Sequence, residues 1–120
     1  MDKPEIMIGM VANLWTRQMT FKKKGDIELG HKHQFDHLTL LASGALKVEI
    51  EGNITEFKAP FMIFISKDKR HELTALEDNT VAYCIHALRD IETGDILDHS
   101  MFPNGVIPTD ACQDLCVEVN

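Results

Sequence analysis

Apolar and polar residues alternate along short stretches of this chain, and clusters of turn-forming residues separate the stretches. Alternation with a period of two is typical of β-strands with one buried face, and almost no stretch shows the helical period. The pattern predicts strands at Val11–Phe21, His31–Ala42, Ala45–Glu51, Ile54–Phe57, Phe61–Ile65, His71–Ala75 and Val81–Leu88. Short strands at regular spacing in a chain of this size predict an all-β sandwich or closed barrel of the jelly-roll type.

The pattern weakens beyond Arg89, where turn residues are mixed with isolated apolar ones. A short helix is predicted from Thr109, a good capping residue, to about Val117, and it would place Cys112 and Cys116 on one face. A chain of 120 residues is long enough for one hydrophobic core and too short for two. We therefore expect a single domain over residues 1–120, with a barrel core at about 11–89 and an irregular or helical C-terminal extension at 90–120.

Composition and charge restrict the classes of partner. The chain is 44% hydrophobic and 26% charged, as is ordinary for a globular protein. Its net charge of -7 argues against nucleic acid or an anionic membrane as the main partner. The apolar stretch IMIGMVANLW follows acidic residues, lacks a basic region before it and is too short to span a bilayer.

The number of cysteines bears on the redox environment in which the chain is expected to function. Cys84, Cys112 and Cys116 make an odd number, and no export sequence is visible before them. Reduced thiols are therefore expected rather than a disulfide framework. This predicts a cytoplasmic location.

Half of the six histidines lie in one stretch, GHKHQFDHLTLLASG. His31, His33 and His37 are separated by two and four residues, so they would share one face of a strand, whereas a helix would scatter them. The same face would carry Phe35, Thr39 and Leu41. Burying three imidazoles without partners is costly, and a shared metal ion would satisfy all of them. His71 begins a later predicted strand and is a fourth candidate ligand.

This histidine pattern resembles the first motif of the cupin superfamily. That motif is a Gly, five residues, His-x-His, three or four residues, Glu, six residues and Gly. Here Gly25, DIELG, His31-Lys32-His33, QFD, His37, LTLLAS and Gly44 match every spacing, with histidine in place of the Glu. The second motif, Gly, five residues, Pro-x-Gly-x-x-His, three residues and Asn, is matched from Pro60 through His71 to Ala75 by spacing more than by identity.

The resemblance covers about half of the chain, from Gly25 to about Leu88. It implies a small single-domain cupin whose jelly-roll barrel binds one divalent transition metal ion. The ligands that it implies are His31, His33, His37 and His71. Imidazole suits several first-row metals, so Mn, Fe, Ni, Cu and Zn all remain open. Four neutral ligands leave the ion its full charge, which favours a small anionic substrate or ligand.

The expected lining of the pocket narrows the chemistry. Alternation places Phe35, Thr39, Leu41, Val48 and Leu73 around the metal and no Asp, Glu or Lys. Acid–base chemistry needs positioned proton donors and acceptors, for which Tyr83 and His86 are the candidates in or near the pocket. Metal-centred oxygen chemistry needs fewer protein groups. The predicted function is therefore a dioxygenase-like oxidoreductase acting on a small organic acid, enol or diketone-like compound.

Two alternatives remain open at this point. One is a non-catalytic protein that binds a small ligand through the metal, and the other is a cupin isomerase or lyase. Leu38 and Leu40 fall on the face opposite the histidines, where an apolar strip could meet a second subunit. Because cupins commonly pair through outer sheet faces, the resemblance implies a homodimer.

Overall fold

The computed structural model describes residues 2–98 and 116–119, and the regular elements among them are all β-strands. The strands are β1 (Glu5–Val11), β2 (Leu14–Phe21), β3 (Ile27–His31), β4 (His37–Ser43), β5 (Ala45–Ile50), β6 (Asn53–Lys58), β7 (Phe61–Ile65), β8 (His71–Ala75), β9 (Thr80–Ala87) and β10 (Cys116–Val119). They form a six-stranded sheet, β10-β1-β2-β9-β4-β7, and a four-stranded sheet, β3-β8-β5-β6. The predicted all-β class of jelly-roll type is confirmed.

The core lies between the two sheets. Buried residues alternate with more exposed ones along β4, β8 and β9. The largest fully buried side chains come from both sheets: Phe21, Met19, Leu41, Leu46, Ile65 and Leu73. Full burial of each such side chain stabilises the fold by about 1.5–3 kcal/mol. The residues predicted to line the pocket, Thr39, Leu41, Val48 and Leu73, are all buried in this core. No helix in the described part of the chain has the length and apolar content needed to cross a bilayer.

The first hairpin differs from the prediction. The predicted strand Val11–Phe21 is wrong at its start, because β2 begins at Leu14 after a turn in which Ala12 has a φ of 52°. An additional strand, β1, precedes that turn. Its sequence, EIMIGMV, is apolar on both faces, and this hides the period of two by which strands are predicted.

The predicted strand His31–Ala42 is also wrong, since two strands in different sheets replace it. β3 ends at His31 and β4 begins at His37, and residues 32–36 connect the sheets. The connection is held by the loop before β8: the Asp68 amide donates to the His33 carbonyl at 2.7 Å, and the Lys67 amide donates to the Asp36 carboxylate at 2.8 Å. The connection between the two sheets therefore carries His33, with His31 and His37 at the strand ends on either side of it.

The C-terminal extension is described only in part. Most of the helix predicted from Thr109 to about Val117, including Cys112, lies outside the described residues. Its last residues belong to β10, a strand that pairs antiparallel with β1 from Gly9↔Cys116 to Ile6↔Val119. The helix is therefore wrong at its C-terminal end.

Candidate metal centre

The fold brings the predicted ligands together from both sheets. His71 is the first residue of β8, His37 is the first residue of β4, and His33 lies in the connection just before β4. The backbone of His31 ends β3, directly opposite His71 in the register of the two strands. Residues that are distant in sequence thus meet at one end of the barrel.

The described imidazole rings lie close to one another. Their centroids are 5.3 Å apart for His33 and His37, 5.0 Å for His37 and His71, and 5.8 Å for His33 and His71. Three imidazoles on one ion, at metal–nitrogen distances of about 2.1 Å, have centroids separated by about 4.5–5.2 Å. Two of the pairs are at or near that range, and the third is about half an ångström wider.

The ring positions alone do not define a metal-binding site. Among the side chains that the structure describes, which do not include that of His31, no group of three or more His, Cys, Asp or Glu residues meets the requirements of a bound ion. The donor chemistry nevertheless fits a transition metal, because all the described candidates are imidazoles. His33 is the most exposed of the three, at 23% of its side chain.

The orientation of His71 also suits a ligand. Its side chain is 1% exposed, and its Nδ1 lies 3.1 Å from the Lys69 carbonyl oxygen. A carbonyl only accepts hydrogen bonds, so the hydrogen is on Nδ1 and the lone pair is on Nε2. Metal-binding histidines commonly donate their second nitrogen to a carbonyl or carboxylate in this way.

A backbone clamp fixes the end of β3 against β8. The register of β3 shifts just before His31, so the peptide groups of Gly30 fall outside the regular ladder. The Glu72 carboxylate accepts the Gly30 amide at 3.0 Å, and Arg70 Nη1 donates to the Gly30 carbonyl at 3.1 Å. These two side chains flank His71 in sequence, so the start of β8 and the residue before it hold the backbone that precedes another candidate ligand.

Aromatic rings surround the candidate ligands. Phe35 stacks on His33 with centroids 4.9 Å apart, and its ring lies 4.3 Å from that of His86. Trp15 also stacks on His86, with ring centroids 4.3 Å apart. The His86 ring is 6.4 Å from that of His33, so the predicted neighbour of the cluster does lie beside it.

His86 is an imidazole held in the neutral form. Burial is the main influence on its pKa and lowers it, opposed by the hydrogen bond of Nδ1 to the Ala87 carbonyl at 2.8 Å and by the negative charge of Asp98. The Ala87 carbonyl places the hydrogen on Nδ1, which leaves the Nε2 lone pair as an acceptor.

Tyr83, the other pocket candidate, is not brought to this site. It lies an odd number of residues from His86 on β9, and its register partner on β4 is Leu40, on the outer face of the sheet. Buried and part-buried residues alternate along β9, with His86 buried and Tyr83 part-buried. The two side chains therefore lie on opposite faces of the strand.

An ion pair between the sheets and a carboxylate beside His33 were not predicted. Arg17 alternates with the buried residues Trp15 and Met19 on β2, and its Nη2 lies 3.3 and 3.4 Å from the carboxylate oxygens of Glu28 on β3. Both charges act on the pKa of Cys84, a core thiol whose pKa is raised to about 11, chiefly by burial. Glu28 lies opposite the buried Leu73, so the expectation of no inward acidic residue is wrong. The alternation around Arg17 indicated an inward charge but not its partner.

The second unpredicted group is a carboxylate beyond the last predicted strand. Asp98 Oδ2 lies 3.9 Å from His33 Nδ1, and its side chain is 30% exposed. Nothing in the alternation pattern after Arg89 indicated that the chain returns to the histidines.

Comparison with known proteins identifies the fold. No family model and no curated protein matches the chain. KdgF from Halomonas sp. is similar in structure, with a TM-score of 0.60, 21% identity and coverage of 68% of this chain and 75% of that chain. An uncharacterized conserved protein with a double-stranded beta-helix domain from Klebsiella pneumoniae has a TM-score of 0.63 and 15% identity, covering 71% and 76%. A cupin superfamily protein from Desulfitobacterium hafniense has a TM-score of 0.62 and 10% identity, covering 72% and 80%.

The chain therefore has the cupin fold, a double-stranded β-helix. The resemblance of its histidine spacing to the cupin motif and the similarity of its backbone to cupin structures agree on this fold. Identities of 21% and below carry no particular activity over to this chain.

Proposed function

We propose that this chain is a metal-dependent cupin that binds one divalent transition metal ion through His31, His33, His37 and His71. The observation that supports the proposal is the approach of three imidazoles from different elements, with ring centroids 5.0–5.8 Å apart at one end of the barrel. Imidazole is the commonest metal-ligating side chain, and one metal ion can accept lone pairs from several of them at once. Mn, Fe, Ni, Cu and Zn are the candidates.

The proposed activity is that of a dioxygenase-like oxidoreductase acting on a small organic acid, enol or diketone-like compound. A bound divalent ion would act as a Lewis acid and supply coordination positions for an organic anion and for oxygen. The protein's own groups would orient the ligands: Phe35 stacks on His33, and Trp15 stacks on the neighbouring His86. Arg17 contacts Glu28 through Nη2 alone, and its remaining N–H groups suit the carboxylate of a small acid.

Oxygen consumption tests this activity. Metal-free protein is reloaded with each of the five metals and assayed in an oxygen electrode against small organic acids, enols and β-diketones. We expect uptake that depends on both the metal and the substrate, that is lost in His37→Ala and that persists in Tyr83→Phe, whose side chain lies on the outer face. Absence of uptake with every metal and substrate class contradicts a dioxygenase.

A second candidate, a cupin isomerase or lyase, is supported by one group that was not predicted, Glu28, and by one that was, His86. Glu28 is a carboxylate beside the barrel interior, and His86 is a neutral imidazole with an available acceptor nitrogen. Together they provide the proton acceptors that such chemistry requires. Conversion of substrate without oxygen uptake would identify this class, and tight binding with no product would identify a binding protein.

We also propose that a second copy of the chain covers the outer face of the six-stranded sheet. Across β4 and β7, Leu38 lies opposite Phe64 and Leu40 lies opposite Met62. Met62 and Phe64 are 68% and 60% exposed, so they form an apolar patch at the β7 edge that a two-fold related copy would bury. The cytoplasmic location stays a prediction from the cysteines.

A further inference from the structure

The chain after β9 is tied to the first hairpin. The Leu88 amide donates to the Asn13 carbonyl at 3.0 Å, and the Arg89 amide donates to the Asn13 side-chain oxygen at 2.7 Å. The Asn13 side-chain nitrogen in turn donates to the Arg89 carbonyl at 3.0 Å. These bonds fix the point at which the polypeptide leaves the sheet.

A tight turn then reverses the direction of the chain. Asp90 Oδ1 accepts the amides of Glu92 and Thr93 at 2.8 and 3.0 Å, and the Asp90 amide donates to the Asp95 carbonyl at 2.8 Å. This is the side-chain-to-backbone pattern by which Asp residues stabilise turns. The following residues are therefore directed back towards β9.

The returning segment docks beside the end of β9. Ile96 forms an antiparallel bridge with Arg89, and the Leu97 amide donates to the Leu88 carbonyl at 3.1 Å. Leu97 packs against the hydrophobic core. The next residue, Asp98, is thereby placed at the barrel end that contains the histidines.

The Asp98 carboxylate lies near Nδ1 of His33. If the other ring nitrogen, Nε2, binds the metal, Nδ1 points away from the centre that the three rings share. Oδ2 is 3.9 Å from Nδ1, which is within the range of an electrostatic pair and longer than a hydrogen bond. A negative charge at this distance favours the tautomer with hydrogen on Nδ1, because that N–H dipole points at the carboxylate. The lone pair is then on Nε2, the same arrangement that the Lys69 carbonyl gives to His71.

We propose that Asp98 is a positioning residue of the metal centre, which holds His33 in the tautomer and orientation that ligation requires. The inference rests on the proposed metal-binding function. Carboxylates that accept a hydrogen bond from a ligating imidazole typically contribute 10–100-fold to metal affinity, and Asp98 Oδ2 is about 1 Å beyond that distance from His33 Nδ1. The turn at residues 90–95 and the anchor at Asn13 would then serve the metal site through Asp98, although they lie outside the barrel strands.

The test compares Asp98→Asn with Asp95→Asn, a matched change of charge at an exposed position of the same segment. Dissociation constants for Zn²⁺ are measured by competition with a chromophoric chelator at pH 7.5. We expect about 10–100-fold weaker binding for Asp98→Asn and less than a twofold change for Asp95→Asn. The thermal midpoints of the metal-free proteins should agree, since a contact that is 30% exposed adds little to stability.

A second measurement needs no metal. Long-range ¹H–¹⁵N correlation spectra of the metal-free protein report which nitrogen of His33 carries the hydrogen, and we expect Nδ1–H in the native chain and a shift towards Nε2–H in Asp98→Asn. If the native chain binds Zn²⁺ and Asp98→Asn binds equally well with an unchanged tautomer, the role of Asp98 is refuted and the metal site stands. If the native chain binds no metal, the proposed function fails and this inference fails with it.

Discussion

Replacing Gly44 by alanine should destabilise the fold for two separable reasons. Gly44 joins β4 to β5 with a φ of +79°, a conformation that costs an L-amino acid about 1 kcal/mol. A Cβ added there would also lie 2.8 Å from the Thr80 Cα and still closer to its hydroxyl oxygen. The last glycine of the cupin-like motif is thus required both by backbone conformation and by space.

The size of the second effect follows from the environment of Thr80. Thr80 is fully buried, and its hydroxyl donates to the Glu77 carbonyl at 2.9 Å and lies 3.3 Å from the Ala45 amide. Displacing the hydroxyl leaves buried polar groups without these bonds, at a cost of about 1–3 kcal/mol. With the backbone strain, we expect Gly44→Ala to lower the free energy of unfolding by about 2–4 kcal/mol.

Urea unfolding with two control glycines separates the effects. Gly52 has a φ of +84° with no atom within 4 Å of its added Cβ, so Gly52→Ala measures strain alone, about 1 kcal/mol. Gly9 lies in β1 with a negative φ and equally open space, so Gly9→Ala should lose no stability. The midpoint for Gly44→Ala should fall by about 1–2 M at an unchanged slope. A midpoint equal to that of Gly52→Ala would refute the reasoning about Thr80.

Three further predictions concern the core, the surface and the β3 clamp. Burial raises the pKa of Cys84 from near 9.0 to about 11, so the thiol of the unfolded chain ionises at a lower pH than that of the folded chain. The free energy of unfolding that is present below pH 9 should therefore fall by up to about 3 kcal/mol as the pH rises to 11. Urea curves at pH 8 and 10.5 should show this loss in the native chain and not in Cys84→Ala, and equal losses in both would contradict it. Light scattering should find a dimer, and Phe64→Lys should convert it to a monomer. The control Ile91→Lys, at an exposed position off the sheet, should leave the dimer intact. A native monomer at high micromolar concentration would exclude the dimer. Glu72→Leu should speed hydrogen exchange of the Gly30 amide at least several-fold, because it removes the carboxylate that accepts this amide. Glu72→Gln keeps an acceptor and should leave the exchange rate unchanged. If neither change affects the exchange rate, Glu72 does not hold the Gly30 backbone.

The sequence pattern predicted burial better than it predicted strand boundaries. Even spacing places Phe35 and His37 on the inner face, and both are buried, although the segment from residue 32 to 36 is not a strand. The break arises from hydrogen bonds to the Asp68 loop, a partner distant in sequence that a local pattern does not contain. Asp98 was missed for the same reason, because its position depends on Asn13 and on the turn that follows Arg89.

Arg17, in contrast, was missed although the local pattern did indicate its inward position. Its alternation with Trp15 and Met19 indicates an inward side chain, although a charged residue is rarely buried without a partner. The structure resolves the conflict by pairing it with Glu28 between the sheets. A charged residue at an inward position of a strand was therefore evidence for a partner, and the sequence alone did not identify which one.

Metal content tests the central claim most directly. Tag-free native protein, His33→Ala and the control Gln34→Ala, an exposed neighbour, are incubated with each candidate metal, desalted and measured by plasma mass spectrometry. We expect about one ion per chain in the native protein and in Gln34→Ala, and its loss in His33→Ala. If all three proteins are equally empty after every incubation, the histidines do not form a metal centre and the proposed function is wrong.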